Sequence, residues 1–170
     1  LADGVGAVQG LGAVQDVGLL QLSEVCDADG VRTHYVGVLT DITDRKRAEQ
    51  ELRYLANYDT LTGLPNRTLL GERLAHALIR ARRHGSKVAV LLLDLDRFKH
   101  VNDSMGHAAG DRLLKAAAAR IQANVRESDT VARLGGDEFT VIIEDITDQP
   151  QAERAAVKLI EAFTAPLDID

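Results

Sequence analysis

The residues best suited to chemistry sit in Arg133-Leu134-Gly135-Gly136-Asp137-Glu138-Phe139. Two β-prone runs, Asp129 to Leu134 and Phe139 to Ile143, flank the glycine pair, so the stretch reads as a tight hairpin. Two carboxylates follow the glycines. An acidic tip beside bare backbone leaves room for a phosphate and offers oxygen ligands to a hard cation. Taken alone, it also reads as an ordinary solvated acidic turn. A third carboxylate comes from the run Val88 to Leu93, which is continuously apolar and ends in Asp94-Leu95-Asp96. Such a run is expected of a central strand covered on both faces by helices. Period-2 geometry puts Asp94 and Asp96 on one side of the chain, at a strand end where open α/β sheets bind ligands. Asp94, Asp137 and Glu138 together would suit Mg²⁺ held alongside substrate phosphates. Two such ions can clamp an in-line displacement at phosphorus. Gly135 and Gly136 leave space for a triphosphate. Backbone N–H groups near Arg97 and Phe98, with Lys99 as a point charge, are candidate phosphate donors. The spacing is not that of a Walker A loop.

The elements that must position these groups follow from periodicity. Leu19 to Val25 and Val31 to Leu39 read as strands around the turn Asp27-Ala28-Asp29-Gly30. Residues 1–20, rich in glycine, show no stable period and are expected to be irregular. A charged helix follows Asp41-Ile42-Thr43-Asp44, with Asp41, Thr43 or Asp44 as its cap. It is either a solvated linker or one strand of a coiled coil. Asn66 caps a second helix that ends at Gly85, with Leu70, Leu74, Ala77, Leu78 and Ala81 inward. Lys87 to Leu93 is a strand, and residues 97–110 form an irregular or briefly helical loop. A helix from about His107 to Val125 buries Leu114, Ala117, Ile121 and Val125. The hairpin spans Asp129 to Glu144. The last helix, Gln149 to Phe163, turns Ala152, Ala156, Leu159, Ile160 and Phe163 inward, and Pro166 to Asp170 begins another strand. The fold class is therefore α/β or α+β, a mixed sheet flanked by helices, preceded by a β-hairpin remnant and a linker helix.

Totals narrow the class. The 170 residues are 45% hydrophobic and 27% charged, which suits one ordinary domain plus a smaller piece. A single cysteine excludes an internal disulfide and a cysteine-based zinc site. A net charge of −6 gives no reason to expect nucleic-acid binding. No apolar run approaches the roughly 18–20 residues that span a bilayer. A cytoplasmic location is expected, with a parent protein that could be membrane-anchored. The chain starts at Leu1 and stops at Asp170 inside an apparent strand, so a fragment, incomplete at its C-terminus, is expected.

These motifs resemble the GGDEF-domain diguanylate cyclases, whose nucleotidyl-cyclase, palm-like arrangement they share. Arg133 to Phe139 is similar to the family's signature. Asp59-Thr60-Leu61-Thr62-Gly63-Leu64-Pro65-Asn66-Arg67 resembles its leading motif. Asp94-Leu95-Asp96-Arg97-Phe98-Lys99 with Asn102-Asp103 resembles its metal and nucleotide loop, and Gly106-His107 and Gly110-Asp111 continue the match. The resemblance implies Mg²⁺ (or Mn²⁺) on Asp94, Asp137, Glu138 and the Leu95 carbonyl. It implies that Glu138 also serves the 3′-hydroxyl proton and that Lys99 stabilises the phosphates. Asn102 and Asp111 would read guanine, with His107 nearby, and an amide plus a carboxylate does supply the donors and acceptors a guanine edge needs. The substrate would be GTP, the products cyclic di-GMP and two pyrophosphates, and the active form a homodimer with one GTP per protomer. Arg126-Glu127-Ser128-Asp129 looks like the family's inhibitory product site for cyclic di-GMP.

The segment Asp27 to Lys46 is similar to the last hairpin and exit of a PAS sensor domain. The expected organisation is a PAS-like remnant over 1–43, a helical linker over 44–56 and a GGDEF domain over 57–170. The competing expectation is a catalytically inactive GTP or cyclic di-GMP receptor domain, one that could lie upstream of an EAL phosphodiesterase domain. A degenerate receptor would more often lose Asp137, Glu138 or a glycine, and none is lost here.

Overall fold

The computed structural model describes residues 12–14 and 18–168, and the chain divides into two compact units, Leu1–Arg53 and Tyr54–Asp170. In the first unit, β1 (Gly12–Val14), β2 (Gly18–Cys26) and β3 (Arg32–Asp41) form an antiparallel sheet in the order β1-β2-β3. The expected turn closes β2 on β3. Asp27 Oδ1 accepts from the N–H groups of Asp29 (3.0 Å) and Val31 (2.9 Å), an Asx arrangement that Gly30 completes at φ +79°. The glycine-rich start departs from the irregular chain expected of it, because Gly12–Val14 pairs with Gly18–Leu20. Backbone pairing needs no hydrophobic period, so composition could not reveal it. Residues 1–11 and 15–17 lie outside the described residues.

After β3 comes α1 (Thr43–Asn57). Of the three candidate caps, Asp41 engages the helix start, its Oδ1 accepting from Thr43 N–H at 2.8 Å. No side chain of α1 is buried, and Leu52 is 67% exposed.

The second unit packs α2 (Arg67–His84), α3 (Phe98–Met105), α4 (His107–Asn124) and α5 (Gln149–Ala162) around β4 (Lys87–Asp94), β5 (Thr130–Gly135) and β6 (Glu138–Ile146). The strands lie in the order β4-β6-β5. The α/β class with helices flanking a sheet holds. Every pairing between the described strands is antiparallel, where a mixed sheet was expected. The physical reason is that β5 and β6 form a hairpin and β4 runs opposite to β6, so no two neighbours share a direction.

The doubly covered strand is β6, not β4. Nearly all of β6 is buried, including Thr140 and Glu144, and Glu144 is held by an ion pair to Arg80 of α2. β4 lies at the edge of the described sheet, with Val90 exposed and Leu92 77% exposed. An unbroken apolar run cannot tell a two-sided strand from an apolar edge, and the pairing order decides it. Phe139, Val141 and Ile143 of β6 meet Leu114, Ala117 and Ile121 of α4, with Leu159 of α5 and Leu64 closing the cluster. Phe139→Ala should therefore cost about 3–5 kcal/mol in a urea unfolding curve, since the fully buried ring leaves a cavity in the main cluster. A change below about 1 kcal/mol would contradict this placement of the core.

Helix faces follow the expected stripes with two exceptions. Leu78 of α2 and Ile160 of α5 point outward, the latter 70% exposed. The stretch from Pro166 is irregular up to Asp168, and Arg120 of α4 donates to the carbonyls of Ala165 and Pro166 there. The rest of that expected strand, residues 169–170, lies outside the described residues.

Candidate active site

The hairpin tip is built as a two-residue turn of Gly136 and Asp137 between paired Gly135 and Glu138. Gly136 takes φ +55° and Gly135 φ +139°, conformations a side chain would strain. The register shifts between Arg133 and Gly135, a local bulge that twists the tip. On the other side of β6, Asp94 is the cross-strand partner of Glu138. Such partners lie about 4.5–5.5 Å apart at Cα, with side chains on one face. The topology thus gathers Asp94, Asp137 and Glu138 at one end of the sheet. β4 stops at Asp94, so Asp96 leaves strand geometry and the same-side relation expected of it does not apply. Among the described residues, no three His, Cys, Asp or Glu side chains converge into a ready metal cage. The hard oxygen donors at this sheet end fit a Mg²⁺ that completes its shell with substrate oxygens.

Beyond Asp94 the chain turns sharply. Arg97 sits at φ +62°, an uncommon left-handed setting for a non-glycine residue, and α3 starts at Phe98. Of the irregular or briefly helical stretch expected over 97–110, the helical alternative forms: α3 fills residues 98–105 and α4 begins at His107. Phe98 N–H donates to the Leu95 carbonyl at 3.1 Å, so a phosphate reaching for that N–H would have to displace this bond. The Leu95 oxygen keeps a second lone pair for a cation. Lys99 lies exposed in the first turn of α3.

Gly106 (φ +82°) breaks α3 from α4, and its N–H donates to Asn102 O at 2.9 Å. This kink folds α3 back on α4. It brings the Asn102 side chain against Gly110, the residue that precedes Asp111 in α4. His107 opens α4 and is exposed. Asp94 and Asp96 border a concavity of about 550 Å³ whose far wall includes Leu113 of α4 and Phe163 just past α5.

Two residues that carry the tip were quoted in the motifs but given no role from sequence, Arg133 and Asp59. Arg133 Nε and Nη2 both donate to the Gly136 carbonyl, at 3.0 and 2.6 Å. Its Nη1 forks onto Asp59 Oδ1 and Oδ2 at 3.0 and 2.9 Å. Asp59 also accepts from Thr62 N–H (2.8 Å) and Thr62 Oγ1 (2.6 Å). Burial opposes ionisation of Asp59, but the Thr62 hydrogen bonds and the Arg133 guanidinium outweigh it and hold the carboxyl below the usual carboxylate range. The same turn seats Leu64 in the core, its Pro65 carbonyl accepts from Arg133 N–H at 3.0 Å, and Asn66 Oδ1 caps α2 by accepting from the N–H groups of Thr68 and Leu69. The leading motif is therefore a clamp on β5 and the hairpin tip. Its only sequence signal was an unexplained Asp and an unexplained Arg, 74 residues apart.

Arg126 and Asp129 come together at the start of β5. Asp129 Oδ2 accepts from Arg126 N–H (3.0 Å) and its Oδ1 from Glu144 N–H (3.2 Å). They border a concavity of about 270 Å³ to which α5 contributes Arg154 and Lys158.

Residues 56–170 match the family model "Diguanylate cyclase, GGDEF domain". The chain is 50% identical over 127 residues to the bifunctional diguanylate cyclase/cyclic di-GMP phosphodiesterase MucR of Pseudomonas aeruginosa, covering 75% of this chain and 18% of that protein. The structure of a TpbB (YfiN) variant from the same organism comprising only the GGDEF domain aligns with a TM-score of 0.64 at 47% identity, over 66% of each chain. The coiled coil and GGDEF domain of DgcB from Caulobacter crescentus, in complex with c-di-GMP, aligns with a TM-score of 0.62 at 29% identity, over 71% of this chain and 61% of that one. The chain spans less than a fifth of the length of MucR. With the family model covering more than half of its residues, this chain belongs to the GGDEF-domain diguanylate cyclase family.

Proposed function

We propose that the chain is the GTP-condensing part of a diguanylate cyclase. The observation that carries this reading is the register pairing Asp94 with Glu138 beside a glycine turn that ends in Asp137. Three acids at one sheet end make chemical sense around a divalent cation and a triphosphate. Asp94, Asp137, Glu138 and the Leu95 carbonyl would hold Mg²⁺ or Mn²⁺, which when bound draws negative charge from the phosphate oxygens. The open turn at Gly135 and Gly136 admits the phosphates, and Lys99 adds a cation to them. Asn102 and Asp111 select guanine, with His107 beside the nucleotide. Glu138 takes the proton from the 3′-hydroxyl as its oxygen bonds to the α-phosphorus of the second GTP. The bond from that phosphorus to the β-phosphate oxygen breaks, and pyrophosphate leaves. The reciprocal step closes the ring, so two GTP give cyclic di-GMP and two pyrophosphates. Each domain presents one nucleotide, which makes a homodimer part of the reaction.

In the same reading, Arg126 and Asp129 form a product site. Arg126, Arg154 and Lys158 around one concavity suit the two phosphates of cyclic di-GMP, which would act as an inhibitor. Residues 1–43 would be the end of a PAS-like sensor, and α1 the linker that carries its state.

The test is incubation of the full-length protein with GTP and Mg²⁺, following cyclic di-GMP by chromatography, with Asp137→Ala as control. Cyclic di-GMP from the unaltered protein alone supports the cyclase. GTP binding without any product would replace it with the receptor reading.

A further inference from the structure

Most glycines at the candidate site are explained by positive φ, but Gly110 is not. It lies inside α4, outside the set of positive-φ residues, and is buried. Glycine there destabilises the helix relative to alanine, so some other requirement must hold it in place. The requirement is space. A Cβ on Gly110 would collide with Asn102 Oδ1, lie 3.0 Å from Asn102 Cγ and 3.3 Å from Phe98 Cε2. Gly71, a second helical glycine in α2, has nothing within 4 Å of the same position. The Asn102 amide therefore occupies the volume that any other residue at 110 would fill.

We propose that Gly110 is a positioning residue for base recognition, its absent side chain being the seat that fixes the Asn102 amide beside Asp111 at the guanine edge. This rests on the reading of Asn102 as a guanine contact. The atom that would be struck is the far end of a flexible side chain. A methyl group at 110 thus turns the amide away while the backbone of α3 and α4 stays put. The severe collision is with Asn102 and the Phe98 ring is only brushed, so the main effect of a side chain at 110 falls on the base and not on the phosphates.

The experiment measures binding of 3′-deoxy-GTP, 3′-deoxy-ATP and tripolyphosphate to the full-length protein by calorimetry with Mg²⁺ present. The 3′-deoxy nucleotides lack the attacking hydroxyl, so no turnover intervenes. Gly110→Ala is expected to reduce the preference for 3′-deoxy-GTP over 3′-deoxy-ATP about tenfold, because the site's polar groups lose their alignment. Asn102→Ala should do the same, the double variant should be no worse than Asn102→Ala, and tripolyphosphate affinity should not move. Gly71→Ala should leave all three ligands unaffected. Gly110→Ala should melt no lower than the unaltered protein. A Gly110→Ala protein that keeps the full guanine preference, while Asn102→Ala loses it, overturns the proposal. So does a drop in melting temperature that Asn102→Ala fails to relieve, since the collision would then fall on the fold. Unchanged preference in Asn102→Ala itself overturns the guanine reading on which the proposal stands.

Discussion

Arg133→Ala is expected to lower stability by about 3 kcal/mol and to cut turnover of GTP even though Arg133 touches no proposed ligand. The side chain is only 10% exposed and its partner Asp59 only 21%. Truncation leaves a half-buried carboxylate without its cation and the Gly136 carbonyl without its donors. Breaking one side of such a pair costs more than the pair contributes, because the remaining charge stays desolvated. Gly136 is the residue before Asp137, so the loss reaches the tip directly. Arg133→Lys should recover only part of the loss, since one ammonium cannot fork onto Asp59 and also reach Gly136 O. The pair also sets an acid dependence. The carboxyl of Asp59 titrates lower in the folded protein than in the unfolded chain. Its stabilisation is therefore fully present above the ordinary carboxylate range, about pH 4, and is lost as pH falls through the lower folded value. In Arg133→Ala that acid-labile part should shrink. Urea unfolding at neutral pH and at low pH measures both effects. Equal stability of the two proteins at neutral pH would refute the clamp.

The clamp also shows why some of this molecule was legible from its sequence and some was not. Local devices were readable. Asn66 as a cap, Gly85 at φ +70° ending α2, the Asp27 turn and the hairpin at Gly136 each rest on residues within a few positions of one another. The three acids were readable as candidates because motif and residue type expose them. Long-range order was not. That β6 and not β4 is central depends on which strand pairs with which, and the apolar run Val88 to Leu93 is compatible with either place. The same holds for Arg133 and Asp59, joined only by the fold, and for Ile160, whose helical period fits an inward face that α5 does not bury. The α3 segment was obscured because Arg97 and Gly106 bracket only eight residues, too few for a clear helical period.

Asp94→Asn should separate function from stability most sharply. Asp94 and Glu138 are direct cross-strand partners, both exposed. Like charges in that relation destabilise a sheet by roughly 0.2–1 kcal/mol, so the pair is a poor choice for holding β4 to β6. Asparagine keeps the size and shape of aspartate and removes one negative charge. The variant should melt at the same temperature as the unaltered protein or slightly above it. If the proposed cyclase reading holds, production of cyclic di-GMP by the full-length variant should fall on the order of a thousandfold, the scale on which charge-stabilising groups act at a reacting phosphate. Asp137→Asn should show a comparable loss of turnover, since the tip carboxylate sits at the same sheet end. Binding of GTP without metal should change little in either variant, whereas the Mg²⁺-dependent part of that binding should weaken. A structural acid would give the reverse pattern: a lower melting temperature with turnover retained. A like-charged pair kept at the end of β4 and β6 is what the proposed metal–triphosphate site would require and what a sheet built for stability alone would avoid.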